Sequence, residues 1–443
     1  MLSPLNSSSS RVNKKRRVGW ESVLDRISNL PNDVAQHILS YLPIHEAVRT
    51  SVLSSNWRFK WAMLPSLVFD NQLDDRSRRH IESVVDQVLF LHLGPVDTFK
   101  LSMREHISNS AISQWILHLS RNSIKQLILK SWNGNHASGR ASPISSLLFS
   151  CRDLTHLELY NFMLKPPSTF KGFGMLKSLA IKKVTLVQHD LEKIIVLCPL
   201  LERMTLLDLE GITHLRIEAP NLQFLKLRGD LKDVQLTNTL NLVHVSIDRN
   251  RAQGSSKLLK CFVKLPRIER LEIEGYFLAC DVGSLPEEPC LSLNFLSLSI
   301  GLGNVDEILT AMSLLRSSLA LRELEISIRQ ENEAANAGET TYWLNDNQNW
   351  EFTQLRRVKI TGFSGVKAEV DLIKFLSKNS PALRELEILF RENTNKITRS
   401  DYAAMGNCPF TQLRVMKVTG FYGVEDEVGS SDFCFQVHLC LRG

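Results

Sequence analysis

The chain has 443 residues, of which 43% are hydrophobic and 23% charged, and its formal net charge is +6. Residues 1–20 contain five basic side chains and no acidic one, so the rest of the chain is close to neutral, which excludes a nucleic-acid-binding body built on a basic stripe. The longest strongly apolar stretch, residues 194–201, is far shorter than the ~20 residues of a membrane span, and the N-terminus lacks a signal peptide's apolar core. We therefore expect no membrane partner, and either two or three domains or one elongated repeat array.

The first twenty residues are rich in Ser and then basic, which predicts a disordered arm because few of these side chains can be buried. The run Lys14, Lys15, Arg16 and Arg17 fits a nuclear import signal, and a solvated charge run that keeps the arm extended is an equally good interpretation. The eight cysteines include no C-x-x-C pair and no Cys/His spacing typical of zinc, so we expect no metal site and a reduced compartment. The predicted localisation is the nucleus, the cytoplasm or both.

Residues 25–64 predict three short helices. In the first helix, apolar residues recur at three- and four-residue spacing, and Pro31 and Pro43 mark its two ends; these residues are Val34, Ala35, Ile38, Leu39 and Leu42. The second helix covers residues 44–53, and the third carries Trp57, Trp61 and Leu64. A segment of this size makes a poor core alone, so its apolar faces are expected to dock on the rest of the chain or on another protein.

Within this segment, Leu30-Pro31, residues 38–43 and 47–54, Trp57 and Trp61 together resemble a plant F-box. The resemblance implies docking onto the Skp-type adaptor of a cullin-based ubiquitin ligase. The residues that it assigns to the adaptor contact are Leu30, Pro31, Ile38, Leu39, Leu42, Pro43, Val48, Val52, Leu53, Trp57 and Trp61. The sequence departs from the family pattern at Ala35, at Ser55-Asn56 and at Lys60, and such departures weaken adaptor binding without changing the fold.

A strand pattern of the form aliphatic-x-x-aliphatic-x-aliphatic then occurs fourteen times. The copies are residues 124–129, 154–159, 176–181, 201–206, 212–217, 222–227, 231–236, 242–247, 268–273, 293–298, 321–326, 355–360, 383–388 and 413–418. Most lie 22 to 34 residues apart, which leaves room for a returning helix, but those within residues 201–247 lie 9 to 11 apart, which leaves room only for a turn. Helical spacing occurs at residues 78–93, 111–119, 188–197, 308–319 and 370–378. Stacked units of this kind predict a solenoid, and the strands resemble irregular plant leucine-rich repeats.

The C-terminal part contains an internal duplication, because residues 352–365 are echoed by residues 410–423. Gly362, Gly365, Gly420 and Gly423 fit positions that need a positive φ or a close backbone approach. The first copy resembles the FBD domain of plant F-box proteins. The second follows the pattern only to residue 428, so we expect residues 429–443 to be an altered or truncated C-terminus, such as splicing would produce.

The predicted fold is an α/β solenoid with four parts after a disordered arm at residues 1–20. These are a three-helix F-box at 21–66, an irregular leucine-rich-repeat horseshoe with a parallel sheet at 67–345, an FBD-like strand-helix repeat at 346–428, and an atypical tail at 429–443. The sequence has no H-E-x-x-H, G-x-S-x-G or P-loop pattern, so we expect neither catalysis nor a cofactor. Glu323 and Glu325 share one strand face, and because the pair recurs with the repeat we interpret it as a solvated face rather than a glycosidase site.

The exposed strand face is expected to be concave and to bind a protein target. We expect it to be basic within residues 176–248 and acidic within 268–389, and the candidate target-binding residues are Arg216, Phe224, Lys226, Arg228, Glu272, Glu323 and Glu325. The predicted function is a non-catalytic substrate receptor that holds the adaptor, and through it a cullin, by the F-box. Three alternatives remain: a ligase-independent binding scaffold, favoured by the substitutions near Trp57, an enzyme, and nucleic-acid binding through the basic arm with a steep salt dependence.

Overall fold

Most of the described strands belong to one continuous sheet. A computed structural model describes residues 27, 30–70, 80–103, 107–131, 141–250, 262, 265–280, 290–330, 351–391, 413–419 and 437–439. The strands within these ranges are β1 (Ser66–Asp70), β2 (Thr98–Met103), β3 (Gln126–Ser131), β4 (Ser142–Pro143), β5 (His156–Tyr160), β6 (Phe162–Met163), β7 (Ser178–Lys182), β8 (Arg203–Leu207), β9 (His214–Glu218), β10 (Phe224–Arg228), β11 (Asp233–Thr237), β12 (His244–Arg249), β13 (Arg270–Gly275), β14 (Phe295–Ile300), β15 (Glu323–Ile328), β16 (Arg357–Phe363), β17 (Glu385–Phe390), β18 (Val415–Thr419) and β19 (Val437–Leu439).

Fifteen of these strands form the main sheet in the order β1-β2-β3-β5-β7-β8-β10-β12-β13-β14-β15-β16-β17-β18-β19. Neighbouring strands are parallel, except that β19 pairs antiparallel with β18. Along each strand alternate side chains are apolar and buried, as Leu225 and Leu227 are in β10. All fourteen predicted repeats contain a strand, and the prediction of an α/β solenoid is confirmed.

Parallel neighbours require a connection that returns along the sheet, and in several of the described repeats a helix provides it. The helices are α1 (Asn32–Ser40), α2 (Ile44–Arg49), α3 (Ile81–Leu91), α4 (Asn109–Ser120), α5 (Gln188–Val196), α6 (Phe277–Cys280), α7 (Val305–Ser317) and α8 (Lys367–Asn379). The five helices predicted between residues 78 and 378 are therefore confirmed. In the described part of the chain, no helix is both long enough and apolar enough to cross a membrane.

In the middle of the solenoid, the connections between neighbouring strands of the main sheet contain strands instead of helices. Strands β9 and β11 pair only with each other, in a small separate sheet, while β8, β10 and β12 are consecutive in the main sheet. The prediction that residues 201–247 contain little helix is confirmed, since every regular element there is a strand. The expectation that all repeat strands share one sheet face is wrong, because the closely spaced strands of residues 201–247 alternate between the main sheet and the small one.

The N-terminal helices pack directly on the first coil of the solenoid. After α2 the chain forms a 3₁₀ turn at Thr50–Val52, and the predicted third helix is only a 3₁₀ turn at Lys60–Met63. Strand β1 begins immediately afterwards, and its buried Leu67 and Phe69 were not predicted as a strand. Backbone hydrogen bonds from Leu93 to Ala62 (2.8 Å) and from Thr98 to Pro65 (2.9 Å) join this unit to the repeats.

Two glycines of the tail duplication have the positive φ that the sequence predicts, namely +75° at Gly362 and +87° at Gly365. A Cβ at Gly362 would lie 2.5 Å from the carbonyl oxygen of Ile328, so this position combines the positive φ with a close approach of β15. Gly420 and Gly423 lie outside the described residues. Of the predicted atypical tail, only β19 is described.

A third glycine, Gly275 at the end of β13, offers a test of how closely the strands stack. Its φ is +64°, and a Cβ there would lie 2.1 Å from the carbonyl oxygen of Arg249. Gly211 has a similar φ of +78° but no atom within 4 Å of its Cβ position. We expect Gly275→Ala to lower the free energy of unfolding by about 2–4 kcal/mol and Gly211→Ala by about 1 kcal/mol, because only the former must also displace the β12 backbone. Urea unfolding measures both, and equal losses would contradict this stacking.

Candidate functional site

The N-terminal unit exposes an unusual number of large apolar side chains. We name this set the N-terminal apolar surface, and its members are Val34, Ile38, Tyr41, Leu42, Val52, Leu53, Phe59 and Met63. Val52 and Tyr41 are the most exposed, at 87% and 75% of their surface, and Leu53 follows at 59%. Exposed apolar side chains concentrated in about thirty residues mark an interaction site rather than the scattered exposure that every protein has.

The eleven residues predicted to contact an adaptor fall into three groups. Pro31, Ile38, Leu42, Val52 and Leu53 are exposed; Leu30, Pro43 and Val48 are partly exposed; and Leu39, Trp57 and Trp61 are buried inside the chain. The last three therefore cannot touch a partner directly, which corrects their predicted role. Trp57 instead donates a hydrogen bond from Nε1 to the carbonyl oxygen of Ile27 (2.9 Å), so it fixes the segment that leads into α1.

Helix α1 carries two apolar stripes, and this explains the correction. Ala35 and Leu39 face the core with no exposed surface, whereas Val34 and Ile38 lie on the adjacent stripe and face solvent, as does Leu42 just after the helix. Residues four apart share a stripe, so the two sets are distinct on the helix although both are apolar in sequence. Val34, Tyr41, Phe59 and Met63 were not predicted to lie on the surface, and the only available signal for Val34 was this four-residue spacing.

Two of the departures from the family pattern belong to the chain's own packing, whereas Ser55 and Asn56 are exposed. Lys60 Nζ donates a hydrogen bond to the carbonyl oxygen of Leu30 (3.3 Å) and lies 5.4 Å from the ring centre of Trp57. Ala35 is fully buried under the 3₁₀ turn that holds Trp61. Lys60 and Ala35 thus help to hold α1 in place.

A second feature is a row of cationic and aromatic side chains across the open face of the main sheet. The parallel register places Arg203, Phe224, His244, Arg270 and Phe295 side by side, and we call them the aromatic–cation row. The guanidinium carbons of Arg203 and Arg270 lie 4.3 and 3.3 Å from the ring centres of Phe224 and Phe295. The rings of Phe224 and His244 meet edge to face at 4.7 Å. Stacking of this kind orients the guanidinium groups in advance of any partner.

Glu272 lies beside this row and balances its charge. Its Oε1 is 3.1 Å from His244 Nε2 and 2.8 Å from Arg270 Nε. Hydrogen bonding from His244, and then from Arg270, lowers the pKa of the Glu272 carboxyl to about 2, although partial burial opposes the shift. Glu272 therefore stays ionised at any pH at which the protein is expected to work.

This depressed pKa predicts a pH-dependent stability. Because the pKa is lower in the folded chain, the stabilisation is complete above the unfolded-state pKa of about 4.3 and is lost as the pH falls towards 2. We expect the melting temperature of the wild type to fall more steeply between pH 5 and 3 than that of Glu272→Gln. Ser297→Ala, at the register position next to Glu272, does not titrate and should keep the wild-type slope. If the melting temperature of Glu272→Gln falls with pH as steeply as that of the wild type, the ionised Glu272 does not stabilise the fold.

The predicted charge gradient along the sheet is weakened, because charges are paired across strands. In the half expected to be basic, Lys226 Nζ lies 3.5 Å from Glu274 Oε1, and Arg228 lies 3.4 Å from both Asp208 and Asp248. These contacts pair the basic side chains with acids from nearby strands. Both residues remain on the open face as predicted, but they do not form a basic field.

The half expected to be acidic shows the same compensation. Glu323 and Glu385 lie on either side of Arg357, and Glu325 lies next to Lys359. Arg357 Nη2 is 2.6 Å from Glu385 Oε2. The repeated Glu-x-Glu strands thus alternate with a basic strand, which sequence reasoning missed because the partners are about 30 residues apart.

Arg216 was predicted on the same face and is not there. It lies on β9, in the small sheet, where its backbone N–H donates to Glu192 Oε1 (3.1 Å) and its side chain lies 3.5 Å from Glu218. Its place next to α5 puts it on the helical side of the solenoid, away from Phe224. The candidate target face therefore retains the other six residues and excludes Arg216.

Other site chemistry is not favoured by the described residues. Within those ranges no group of three His, Cys, Asp or Glu side chains could hold a metal ion. Burial raises the pKa of the Cys151 thiol to about 12 and those of Cys198 and Cys290 to about 11, so these thiols are protonated and poor nucleophiles. The candidate sites that remain are the N-terminal apolar surface and the open face of the main sheet, which carries charged and aromatic side chains.

Comparison with known proteins gives matches in both regions. A family model described as "F-box domain" matches residues 27–69, and one described as "FBD-associated F-box protein At5g56370, LRR repeats" matches residues 112–326. The chain is 35% identical to the F-box/FBD/LRR-repeat protein At1g13570 of Arabidopsis thaliana, over 82% of this chain and 91% of that protein. It is also 25% identical to the FBD-associated F-box protein At5g56370 of the same plant, over 85% of this chain and 78% of the relative.

Proposed function

Because the chain belongs to the plant family of F-box/FBD/LRR-repeat proteins, we propose that it is the substrate-recognition subunit of a cullin-based ubiquitin ligase. An F-box in general binds a Skp-type adaptor. The observation that carries the proposal is the N-terminal apolar surface, which remains exposed although the rest of the N-terminal unit packs firmly on the repeats. An adaptor seated there would remove this surface from water, with a gain of about 25 cal/mol per Å² of apolar area.

In the proposed domain organisation, a basic arm at residues 1–20 precedes the F-box at 21–66, the repeats at 67–345 and an FBD-like region at 346–428. The shared core of the N-terminal unit and the first coil supports a rigid connection between adaptor and target. A receptor of this kind has no catalytic residues of its own. It raises the local concentration of a target near the ubiquitin-transfer enzyme, which a cullin brings through the adaptor.

We place target binding on the open face of the main sheet. The candidate residues are Phe224, Lys226, Arg228, Glu272, Glu323 and Glu325, joined by Arg203 and Arg270 of the aromatic–cation row. Aromatic and Arg side chains supply most of the energy at protein interfaces, and here they are already held by stacking. The proposed target is a protein, not a nucleic acid or a membrane. The basic run Lys14–Arg17, which lies outside the described residues, would direct some of the protein molecules to the nucleus and leave the others in the cytoplasm.

The test of this proposal separates the two surfaces. The chain is co-expressed with a Skp-type adaptor and a cullin, and proteins captured by the complex are tested for ubiquitin transfer in a reconstituted reaction. We expect a variant with Phe224→Ser and Arg203→Glu to keep the adaptor complex and to lose transfer to the captured target. Transfer that is unchanged in this variant would remove the open face from the proposal, and failure to assemble with any adaptor would overturn the receptor function itself.

The ligase-independent scaffold loses the part of its support that came from Lys60 and keeps the part that comes from the exposed Ser55 and Asn56. That alternative depended on substitutions around Trp57, and Lys60 instead tethers Leu30 and covers the Trp57 ring. A side chain that strengthens the entry to α1 favours a functional F-box. We therefore keep the ligase receptor as the single proposal.

A further inference from the structure

A second exposed apolar cluster lies outside the F-box, at the corner where α3 ends. Phe90 and Leu93 are 86% and 71% exposed, and Leu91 between them is also exposed. The inner stripe of α3 is already complete, because Val85, Val88 and Leu89 are buried in the core. The fold therefore does not need an apolar residue at Phe90 or at Leu93. Three exposed apolar side chains within four residues indicate an interaction site.

This corner is bonded to the last turn of the N-terminal unit. The backbone N–H groups of Leu93 and Gly94 both donate to the carbonyl oxygen of Ala62, at 2.8 and 3.1 Å. His92 Nε2 lies 2.9 Å from the carbonyl oxygen of Leu64. A Cβ at Gly94 would lie 3.1 Å from Cα of Met63, so the corner and Met63 are in direct contact. Met63 belongs to the N-terminal apolar surface, so the two exposed areas lie next to each other in the chain's packing.

The position of the corner decides between possible occupants. Helix α3 connects β1 to β2, so it lies on the helical side of the sheet, whereas the proposed target face is formed by the open strand side. A target on the open face would leave the corner uncovered. A partner already seated on the N-terminal apolar surface would reach it through Met63 without a gap.

We propose that Phe90, Leu91 and Leu93 form a second contact for the Skp-type adaptor, which extends the F-box interface onto the first repeat. The inference rests on the proposed function. Two contacts on separate elements hold a partner at a fixed angle, which one short helical subdomain cannot do as well. The corner thus sets the orientation of the repeat sheet, and of any target on it, relative to the rest of the ligase.

The test compares matched pairs of substitutions in the full-length chain. Leu240 and Leu291 are 64% and 70% exposed and lie elsewhere on the solenoid. Titration calorimetry with a purified Skp-type adaptor should show binding about 10-fold weaker for Phe90→Ser/Leu93→Ser and unchanged within about 2-fold for Leu240→Ser/Leu291→Ser. A photo-crosslinking residue at position 90 should give an adduct with the adaptor, and one at position 291 should not.

A third variant, Val52→Asp/Leu53→Asp, makes failure interpretable. If it loses binding while the corner variant binds as the wild type does, the extended contact is refuted and the F-box function stands. If neither variant affects binding, the extended contact and the placement of the adaptor on the N-terminal apolar surface are both refuted, whereas a wild type that binds no adaptor would overturn the receptor function itself. If the wild type dimerises in sedimentation and the corner variant is monomeric, a second copy covers the corner and the adaptor contact is overturned.

Discussion

Replacing Val52 and Leu53 together by Asp is expected to weaken adaptor binding by at least about 100-fold, which corresponds to about 2.7 kcal/mol, without unfolding the chain. Both side chains are largely exposed in the isolated chain, so they contribute little to its core. In the complex they would be buried against apolar partner groups, and a carboxylate buried there has no compensating hydrogen bonds. Calorimetric titration with a Skp-type adaptor measures the loss.

The matched control for this variant is Val187→Asp/Leu240→Asp. These two residues are also a Val and a Leu on the surface, and they lie in the repeats, away from the N-terminal unit. We expect the control to bind the adaptor as the wild type does and to have a similar melting temperature. Equal binding by the two double variants would mean that Val52 and Leu53 do not form the interface.

Substituting Glu307 by Ala is expected to lower the free energy of unfolding by about 3–5 kcal/mol, the largest stability effect that we predict for a single side chain here. Glu307 is 1% exposed, and its two carboxylate oxygens lie 2.5 and 2.6 Å from Nη2 of Arg329. Arg329 also donates to the carbonyl oxygens of Gly275 and Ser299, so the pair ties α7 to β13, β14 and β15. Removal of the carboxylate leaves the Arg329 guanidinium buried without its counter-charge.

Glu385→Ala provides the comparison, because its ion pair with Arg357 is exposed. Glu385 and Arg357 approach as closely, at 2.6 Å, but both side chains are about half exposed. We expect this substitution to cost at most about 1 kcal/mol, since solvent screens an exposed pair. Urea unfolding of the two variants measures the difference, and a loss for Glu307→Ala as small as that for Glu385→Ala would refute the role of the buried pair.

The repeat strands could be predicted from the sequence because each carries its own signal. In β10, for example, Leu225 and Leu227 alternate with polar residues, and this pattern does not depend on any distant part of the chain. The sheet to which a strand belongs could not be predicted from this pattern. Strands β9 and β10 have the same pattern and nearly the same spacing, and what separates them is the turn between them, which no periodicity describes.

The candidate sites were harder to predict for a related reason. The two stripes of α1 are both apolar, so the sequence does not say that Leu39 is buried and Ile38 is exposed; packing against the 3₁₀ turn at Lys60–Met63 decides it. The pairing that weakens the charge gradient could not be predicted, because the neighbours of Glu323 come from other strands. Phe90 lies in a stretch that reads as an ordinary helix, and its exposure follows from where that helix ends.

The most direct test of the central claim is a titration of the full-length chain with a Skp-type adaptor. The account predicts a one-to-one complex of sub-micromolar affinity that the Val52→Asp/Leu53→Asp variant loses. A folded wild-type chain that binds no Skp-type adaptor at concentrations up to about 50 µM would contradict the account, because that limit corresponds to an interface weaker than about 6 kcal/mol.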